Sequence, residues 1–255
     1  MTNENSNFTN FKIHTQYSIC EGAIKIEDLA QYCKDNKIKA IGLSDSFNLC
    51  GALVFSETIS KVGTQPIIGT QINFKYNDTI GKLPIFAKSE TGYGNLVKLS
   101  SKSFLEPYEK DSSNCSIDDL FKNSKDIIVL SGGIDSLFSN LIKKNKIKDI
   151  EILTAKLKEN FANSFYFEIQ RHNDEGEKTI ENIFLNLSKK NNIPLIASQE
   201  GFYINDDMYE AHDALLCIGE KTYVDEKNRK KYSNQHYLKS SNELKKLYSD
   251  IPEAL

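Results

Sequence analysis

Phe11-Lys12-Ile13-His14-Thr15-Gln16-Tyr17-Ser18-Ile19-Cys20-Glu21-Gly22 is the stretch on which the reading of this chain turns. Phe11, Ile13 and Thr15 alternate with Lys12, His14 and Gln16 at a period of two, which predicts a strand. Lys12, His14 and Gln16 then share one face, and an ammonium beside an imidazole on an inward face has the composition of a site. Ser18, Glu21 and Gly22 break the strand at its C-terminal end. In barrels and open sheets of parallel strands, chemistry is placed at that end.

Outward from this stretch, strand and helix patterns alternate. Ile26, Leu29, Ala30 and Cys33 fall at helical spacing and predict a helix over 24–36. Strands are predicted over 39–46, 66–74, 82–88, 126–130, 164–170 and 194–199, with helices over 48–62, 92–102, 175–191 and 206–217 and two more within 135–160. Leu96, Val97 and Leu99 are assigned to the inner face of the 92–102 helix, and Ser116 with Asp119 has capping-box spacing. Seven strands, mostly separated by helices and each ending in Ser, Asp, Gln or Gly, predict an α/β fold closed into a parallel barrel. A doubly wound open sheet is the alternative, because spacing alone does not dictate closure. Leu244, Leu247 and Ile251 continue a helical pattern. The closing D-I-P-E-A-L, with no closing element after it, reads as the front piece of a longer protein.

Composition bounds the function classes. The 255 residues, 39% hydrophobic and 26% charged, can bury a substantial core. A net charge of −3 gives no global attraction to nucleic acid. The basic cluster K-N-R-K-K at 227–231 is read as a solvated loop. No apolar run approaches the roughly 20 residues of a membrane span, and the polar opening M-T-N-E-N-S-N-F-T-N lacks an apolar signal core, so a cytoplasmic protein without membrane contact is expected. Five scattered cysteines without a C-x-x-C pair are read as reduced thiols. Cys20 and Cys50 follow strand ends, but without a histidine partner nearby they do not read as nucleophiles.

One motif points elsewhere. S-G-G-I-D-S at 131–136 lies between a strand and a helix and resembles the pyrophosphate-binding loop of ATP pyrophosphatases. In that family a strand follows the helix directly, whereas residues 138–160 read as charged helix interrupted only around Asn145. A glycine-rich strand-to-helix turn is the preferred reading.

A broader likeness runs along the chain through H-T-Q-Y-S, E-G-A-I-K-I-E-D-L, L-S-D-S-F-N-L-C-G-A, P-I-I-G-T-Q, T-G-Y-G-N-L-V-K-L-S-S, V-L-S-G-G, F-E-I-Q-R-H, I-P-L-I-A-S-Q-E, A-H-D-A-L-L-C-I and I-P-E-A-L. With these blocks in order, the sequence resembles the N-terminal PHP (polymerase and histidinol phosphatase) domain of bacterial DNA polymerase III alpha subunits. The resemblance implies a distorted seven-stranded (β/α) barrel over 10–230 and a connecting segment over 231–255 leading to a polymerase module. Active members of the family bind divalent metals at the strand C-termini and show 3′–5′ exonuclease or phosphoesterase chemistry.

Carried over residue by residue, the metal motifs are largely altered. The opening H-x-H is Lys12-Ile13-His14, and the acid that follows is Glu21. The D-H pair is Asp45-Ser46, the glutamate ending the third strand is Gln71, and the late N-D-V-H is Gln199-Glu200-Gly201-Phe202. His14, Glu21, Asp45 and Glu200 survive as vestigial ligand positions, lined by Lys12, Ser46, Gln71, His172 and Phe202. No catalytic residue and no metal are expected here. Lys12 is assigned an ion pair with one of the surviving acids, plugging the site. His172 is read as a hydrogen-bonded structural residue, His212 as packing, and His236 as uninformative. The resemblance further implies DNA-templated DNA synthesis with Mg2+ by the parent polymerase. Its implied partners are the rest of the alpha subunit in cis, a proofreading exonuclease subunit, and DNA through the polymerase. A metal-dependent PHP phosphoesterase or exonuclease is the alternative.

Overall fold

Hydrophobic periodicity sets the elements, and a curled sheet organises them. The computed structural model describes residues 8–110 and 112–255. Strand β1 (Lys12–Ile13) is followed by helix α1 (Ile26–Asp35), β2 (Ala40–Ser46), α2 (Ala52–Lys61), β3 (Gln65–Tyr76), β4 (Thr79–Ala87) and α3 (Glu90–Leu105). Then come β5 (Cys115–Ser116), α4 (Ile117–Lys122), β6 (Ile127–Leu130), α5 (Leu137–Lys143) and α6 (Ile147–Phe161). The remainder is β7 (Phe165–Ile169), α7 (Glu177–Asn191), β8 (Leu195–Ala197), β9 (Glu200–Gly201), α8 (Tyr209–Glu220) and α9 (Ser241–Leu247). Among the described residues no helix is long and apolar enough to cross a membrane.

The main sheet has the order β2-β3-β4-β6-β7-β8, with β5 added beside β3. Its ends are brought round to β1. On one side the Gly42 N–H donates to the Asn10 carbonyl at 2.7 Å. On the other, β8 runs within three residues into β9, which pairs in parallel with β1 in the register Lys12–Glu200. The ring is thus closed by a two-residue ladder and single hydrogen bonds rather than by a continuous sheet. Gly42 is needed at the seam, since a Cβ there would sit 2.3 Å from the Phe11 carbonyl oxygen.

The strand directions differ from the all-parallel expectation. β3 pairs antiparallel with β4, and β4 antiparallel with β6. Only Asn77 and Asp78 separate β3 from β4, with Asn77 at φ +52°. A two-residue connection can form a hairpin but cannot span a parallel crossover. Strand β1 is also shorter than the alternation in residues 11–16 suggests. Gln16 leaves the Lys12–His14 face and is exposed, its Oε1 accepting the Ile26 N–H at 3.1 Å.

Outward-facing Phe74, Leu83, Ile85, Val129, Phe165 and Phe167 pack on Leu96, Leu99, Phe138, Leu153, Leu157 and Phe184 of the surrounding helices. Val97, assigned inward from the sequence, is 40% exposed; Leu96 and Leu99 carry the buried face of α3. The Ser116–Asp119 capping box is present at the start of α4. Leu244, Tyr248 and Ile251 join the same core, and the Tyr248 hydroxyl donates to the carbonyls of Ser198 and Ile169 at 2.9 and 3.2 Å.

A pair of glycine replacements tests the closure. Gly42→Ala forces the β1–β2 seam apart and is expected to cost about 2 kcal/mol or more. Gly94→Ala, in α3 with nothing within 4 Å of the new methyl, is expected to stabilise by roughly 0.5–1 kcal/mol. Urea denaturation of the two variants measures both signs.

Candidate functional site

Period-two alternation directs the polar residues of the strands into the ring. In β7, Phe165, Phe167 and Ile169 join the outer core, which turns Glu168 inward. In β1, Ile13 packs with α1 and α2 while Lys12 and His14 face the interior. Lys12, only 1% exposed, places its Nζ 3.1 Å from Glu200 Oε2 and 3.4 Å from Glu168 Oε1. Burial alone would lower the Lys12 pKa, but the two carboxylates outweigh it and hold the ammonium above its usual range. Glu200 shows the reciprocal balance. Burial would raise its pKa, yet Lys12, His14 and Gln71 hold it well below the carboxylate range.

His14 Nε2 lies 2.9 Å from both Glu200 Oε1 and Gln71 Nε2, and Gln71 Nε2 also donates to Glu200 Oε1 at 2.7 Å. The Phe202 ring stacks on His14 at 4.4 Å and lays an apolar face against the imidazole. A second pole forms around Glu21. Its Oε1 receives Lys230 at 2.9 Å, Lys82 at 3.3 Å and the Tyr232 hydroxyl at 3.3 Å, and its Oε2 accepts from Ser46 Oγ. Burial opposes ionisation of Glu21, but Lys82, His14 and Lys230 together hold its pKa far below the ordinary value.

Asp45 stands apart from this centre. Its carboxylate accepts the Thr15 N–H at 2.7 Å, Thr15 Oγ1 at 2.8 Å and Ser18 Oγ at 2.7 Å. It therefore ties down the loop after β1 and reaches His14 only through Ser18, whose Oγ is 3.1 Å from His14 Nδ1. Burial raises the Asp45 pKa even against these bonds.

His172 lies behind Glu200. Its Nε2 accepts the Glu200 N–H at 3.1 Å, and its Nδ1 lies 2.8 Å from Glu177 Oε1. The His236 ring stacks on it at 4.1 Å, with Nδ1 3.0 Å from the Glu200 carbonyl and Nε2 2.7 Å from Asp174. His236, uninformative in sequence, is thus a buried clamp on the backbone of the same residue, Glu200. His212 packs among aromatic rings, as its helix face predicts, and its Nε2 also meets the Glu21 carbonyl at 2.8 Å.

The basic cluster at 227–231 is not a solvated loop throughout. Arg229 is bidentate to Asp213, both contacts at 2.6 Å, and Lys230 reaches Glu21, while Lys227 and Lys231 are exposed. Lys82, Lys230, Tyr232, Glu168 and His236 were missed as site residues. Glu168 was legible from the alternation F-Y-F-E-I-Q; Lys230 and His236 come from a polar stretch with no periodicity to place them. The S-G-G-I-D-S segment forms a strand-to-helix turn between β6 and α5. Ser131 Oγ accepts the Glu168 N–H at 2.9 Å, and Ser136 Oγ caps α5 through Ser139 N at 3.0 Å.

Divalent-metal chemistry requires free lone pairs converging on one point. Glu200 Oε1 is taken by His14 and Gln71 and its Oε2 by Lys12, while both Glu21 oxygens are already hydrogen-bonded. These oxygens are committed to side-chain donors, whereas Glu168 Oε2 is buried without a hydrogen-bond partner among the described residues. His172, Asp174 and His236 also lie close enough to share an ion. Their rings, however, are stacked 5° from parallel, so the in-plane lone pairs do not converge, and each ring nitrogen already has a partner.

The PHP domain family matches residues 10–172. This chain belongs to the PHP domain family. Curated relatives include DNA polymerase III subunit alpha of Rickettsia conorii, 34% identical over 97% of this chain and 21% of the relative. The same subunit of Borreliella burgdorferi is 34% identical over 98% and 23%, and that of Caulobacter vibrioides 31% over 98% and 23%. The chain therefore spans about a fifth of the length of these relatives. Among solved structures, a Bacteroides vulgatus two-domain protein containing a predicted PHP-like metal-dependent phosphoesterase superposes with a TM-score of 0.50. That match has 12% identity and covers 97% of this chain and 63% of the other. A Chromobacterium violaceum amidohydrolase gives 0.50 at 7% identity, covering 82% and 97%. These likenesses support the PHP-type barrel and speak to fold alone.

Two expectations follow from the electrostatics. Lys12→Met leaves Glu168 and Glu200 buried without their cation, and chemical denaturation should show a loss of about 3–5 kcal/mol. The second concerns pH. Burial and the neighbouring His236 push His172 well below the usual imidazole range, and burial also lowers His212. The unfolded chain binds those protons below about pH 6.5 while the folded chain does not, so stability falls as pH drops through that window. Glu21 and Glu200, held below the carboxylate range, contribute stability that is lost lower still, beneath about pH 4.3. Melting temperatures between pH 7 and 3 should fall in two stages, with His172→Gln weakening the upper stage and leaving the lower one.

Proposed function

We propose that this chain is the barrel domain of a DNA polymerase III alpha subunit and is not itself a hydrolase. The observation that carries this reading is the Lys12 ammonium, which sits between Glu168 and Glu200 at the strand ends, where metal-dependent chemistry would need a cation. A fixed ammonium neutralises carboxylates but cannot activate a water or clamp a phosphate oxygen as a metal does. Similarity to alpha subunits over nearly the whole chain supports the placement in that polymerase. On this reading the domain acts in the cytoplasm without a cofactor of its own. It braces the polymerase module in cis and docks a separate proofreading exonuclease subunit. Template-directed synthesis, its Mg2+ and the contacts to DNA belong to the remainder of the subunit.

The test is a nuclease and phosphatase assay on the purified chain, using 3′-labelled DNA and a chromogenic phosphoester with Mg2+, Mn2+ or Zn2+. No release above buffer is expected with any of them. Metal-dependent release that follows the protein through purification and stops with EDTA would instead establish a working PHP hydrolase.

A further inference from the structure

The short β1–β9 ladder leaves one strand edge of the ring open. Strand β8 (Leu195–Ala197) has a single neighbour, β7. On that side the Phe167 N–H donates to the Pro194 carbonyl and the Ser198 N–H to the Ile169 carbonyl, both at 3.0 Å. Main-chain groups of successive strand residues point to opposite edges, so Leu195 and Ala197 turn theirs away from β7. Among the described residues nothing pairs with the N–H or C=O of Ala197, although that residue is only 2% exposed. A buried donor and acceptor left unpaired cost stability, and a segment that pairs them recovers it. Ala197 lines a cavity of about 570 Å³ whose other walls are mostly apolar, among them Phe8, Phe11, Ile196 and Pro252. One cation stands in that lining. It is Lys245 of α9, half-buried and without a carboxylate partner among the described residues.

We propose that this cavity is a docking slot for an extended peptide segment that carries apolar side chains and a carboxylate. The segment adds as a strand beside β8, sets an apolar side chain among Phe8, Phe11 and Ile196, and brings its carboxylate to Lys245. Three features select that occupant. The open edge of β8 calls for a main chain with free N–H and C=O groups, which an extended segment has and a helix has already spent on itself. The apolar walls call for side chains that leave water at no polar cost. The unpaired ammonium calls for a negative charge opposite it. An apolar carboxylic acid would meet the last two but, once ionised, has no donor for the Ala197 carbonyl. Neither Lys12, His14, Glu21, Glu168 nor Glu200 borders this cavity, so the inference is independent of whether the charged centre hydrolyses anything.

The probe is a panel of acetylated hexapeptides, X-T-X-T-X-E with X as valine, isoleucine, leucine or phenylalanine. Each is titrated into the full chain labelled with nitrogen-15, and binding is followed through the backbone amide resonances. At least one member is expected to bind at micromolar concentration, with the Ala197 amide proton moving downfield and exchanging more slowly with solvent. Methylating alternate backbone nitrogens of that peptide, in one of the two phases, should weaken it at least about tenfold. Lys245→Glu should weaken the unmethylated peptide by a similar factor. No binding by any member at millimolar concentration overturns the proposal, as does binding that survives methylation in both phases. The methylated peptides are read on the wild type, so the test stands even if Lys245→Glu does not fold. Two other occupants have their own signatures, and either result also overturns the proposal. Decanoate that saturates the cavity and blocks the peptide while leaving the Ala197 amide in place would assign it to apolar acids. A dimer of the free chain in sedimentation that Lys245→Glu dissociates would assign it to a second copy.

Discussion

An ammonium held between two carboxylates inside a ring of strands is the constraint around which this domain is built. Lys12 cannot be buried alone, because desolvating a single charge costs several kcal/mol. Glu168 and Glu200 cannot be buried unpaired for the same reason. Each removes the penalty of the others, so the interior tolerates charge only while β1, β7 and β9 remain in register. The residues outside this centre serve largely to hold that register. Gln170 Nε2 and Ser198 Oγ both donate to Glu168 Oε1, and Gln71 donates to Glu200.

A shell of histidines and hydroxyls supports the centre from behind. His172 receives the Glu200 N–H and His236 approaches the Glu200 carbonyl, so both polar groups of one residue's backbone are fixed by stacked rings. The crossing segment contributes Lys230, Tyr232, Ser233 and His236 to this arrangement. Ser233 N–H donates to Asp174 at 2.9 Å, and Tyr232 stacks on Phe202 at 4.7 Å. With Phe202 apolar, the site is packed much like a core, although its polar atoms are arranged as in a binding site.

Much of this was legible from sequence, for reasons that differ by residue. Alternation and helical spacing located the long elements, because burial on one face imposes those periods directly. Sheet direction was not legible, since it depends on whether two residues or a dozen separate the strands, and Asn77-Asp78 is a short signal among the polar residues that already alternate through 70–82. Lys12, His14, Gln71, Glu200 and Phe202 do meet in space, as the aligned motifs indicate. Asp45 is a loop anchor rather than part of the centre, because both its oxygens are consumed by Thr15 and Ser18. Lys82 was visible only as the first residue of a predicted strand, and its role depends on the curl that brings β4 opposite Glu21.

The β1–β9 seam has a consequence in time. His14 and its partner Glu200 are 186 residues apart, and the ladder that closes the ring joins the same two regions. A ribosome adding about 5–20 residues per second makes the first of these partners on the order of ten to forty seconds before the second. Through that interval the sheet from β2 onward can assemble by local contacts, while Lys12 and His14 stay in water. The pairing of Lys12 and His14 with Glu200 therefore cannot form until β9 has been made, and a nascent chain stopped short of β9 would expose an open-edged sheet.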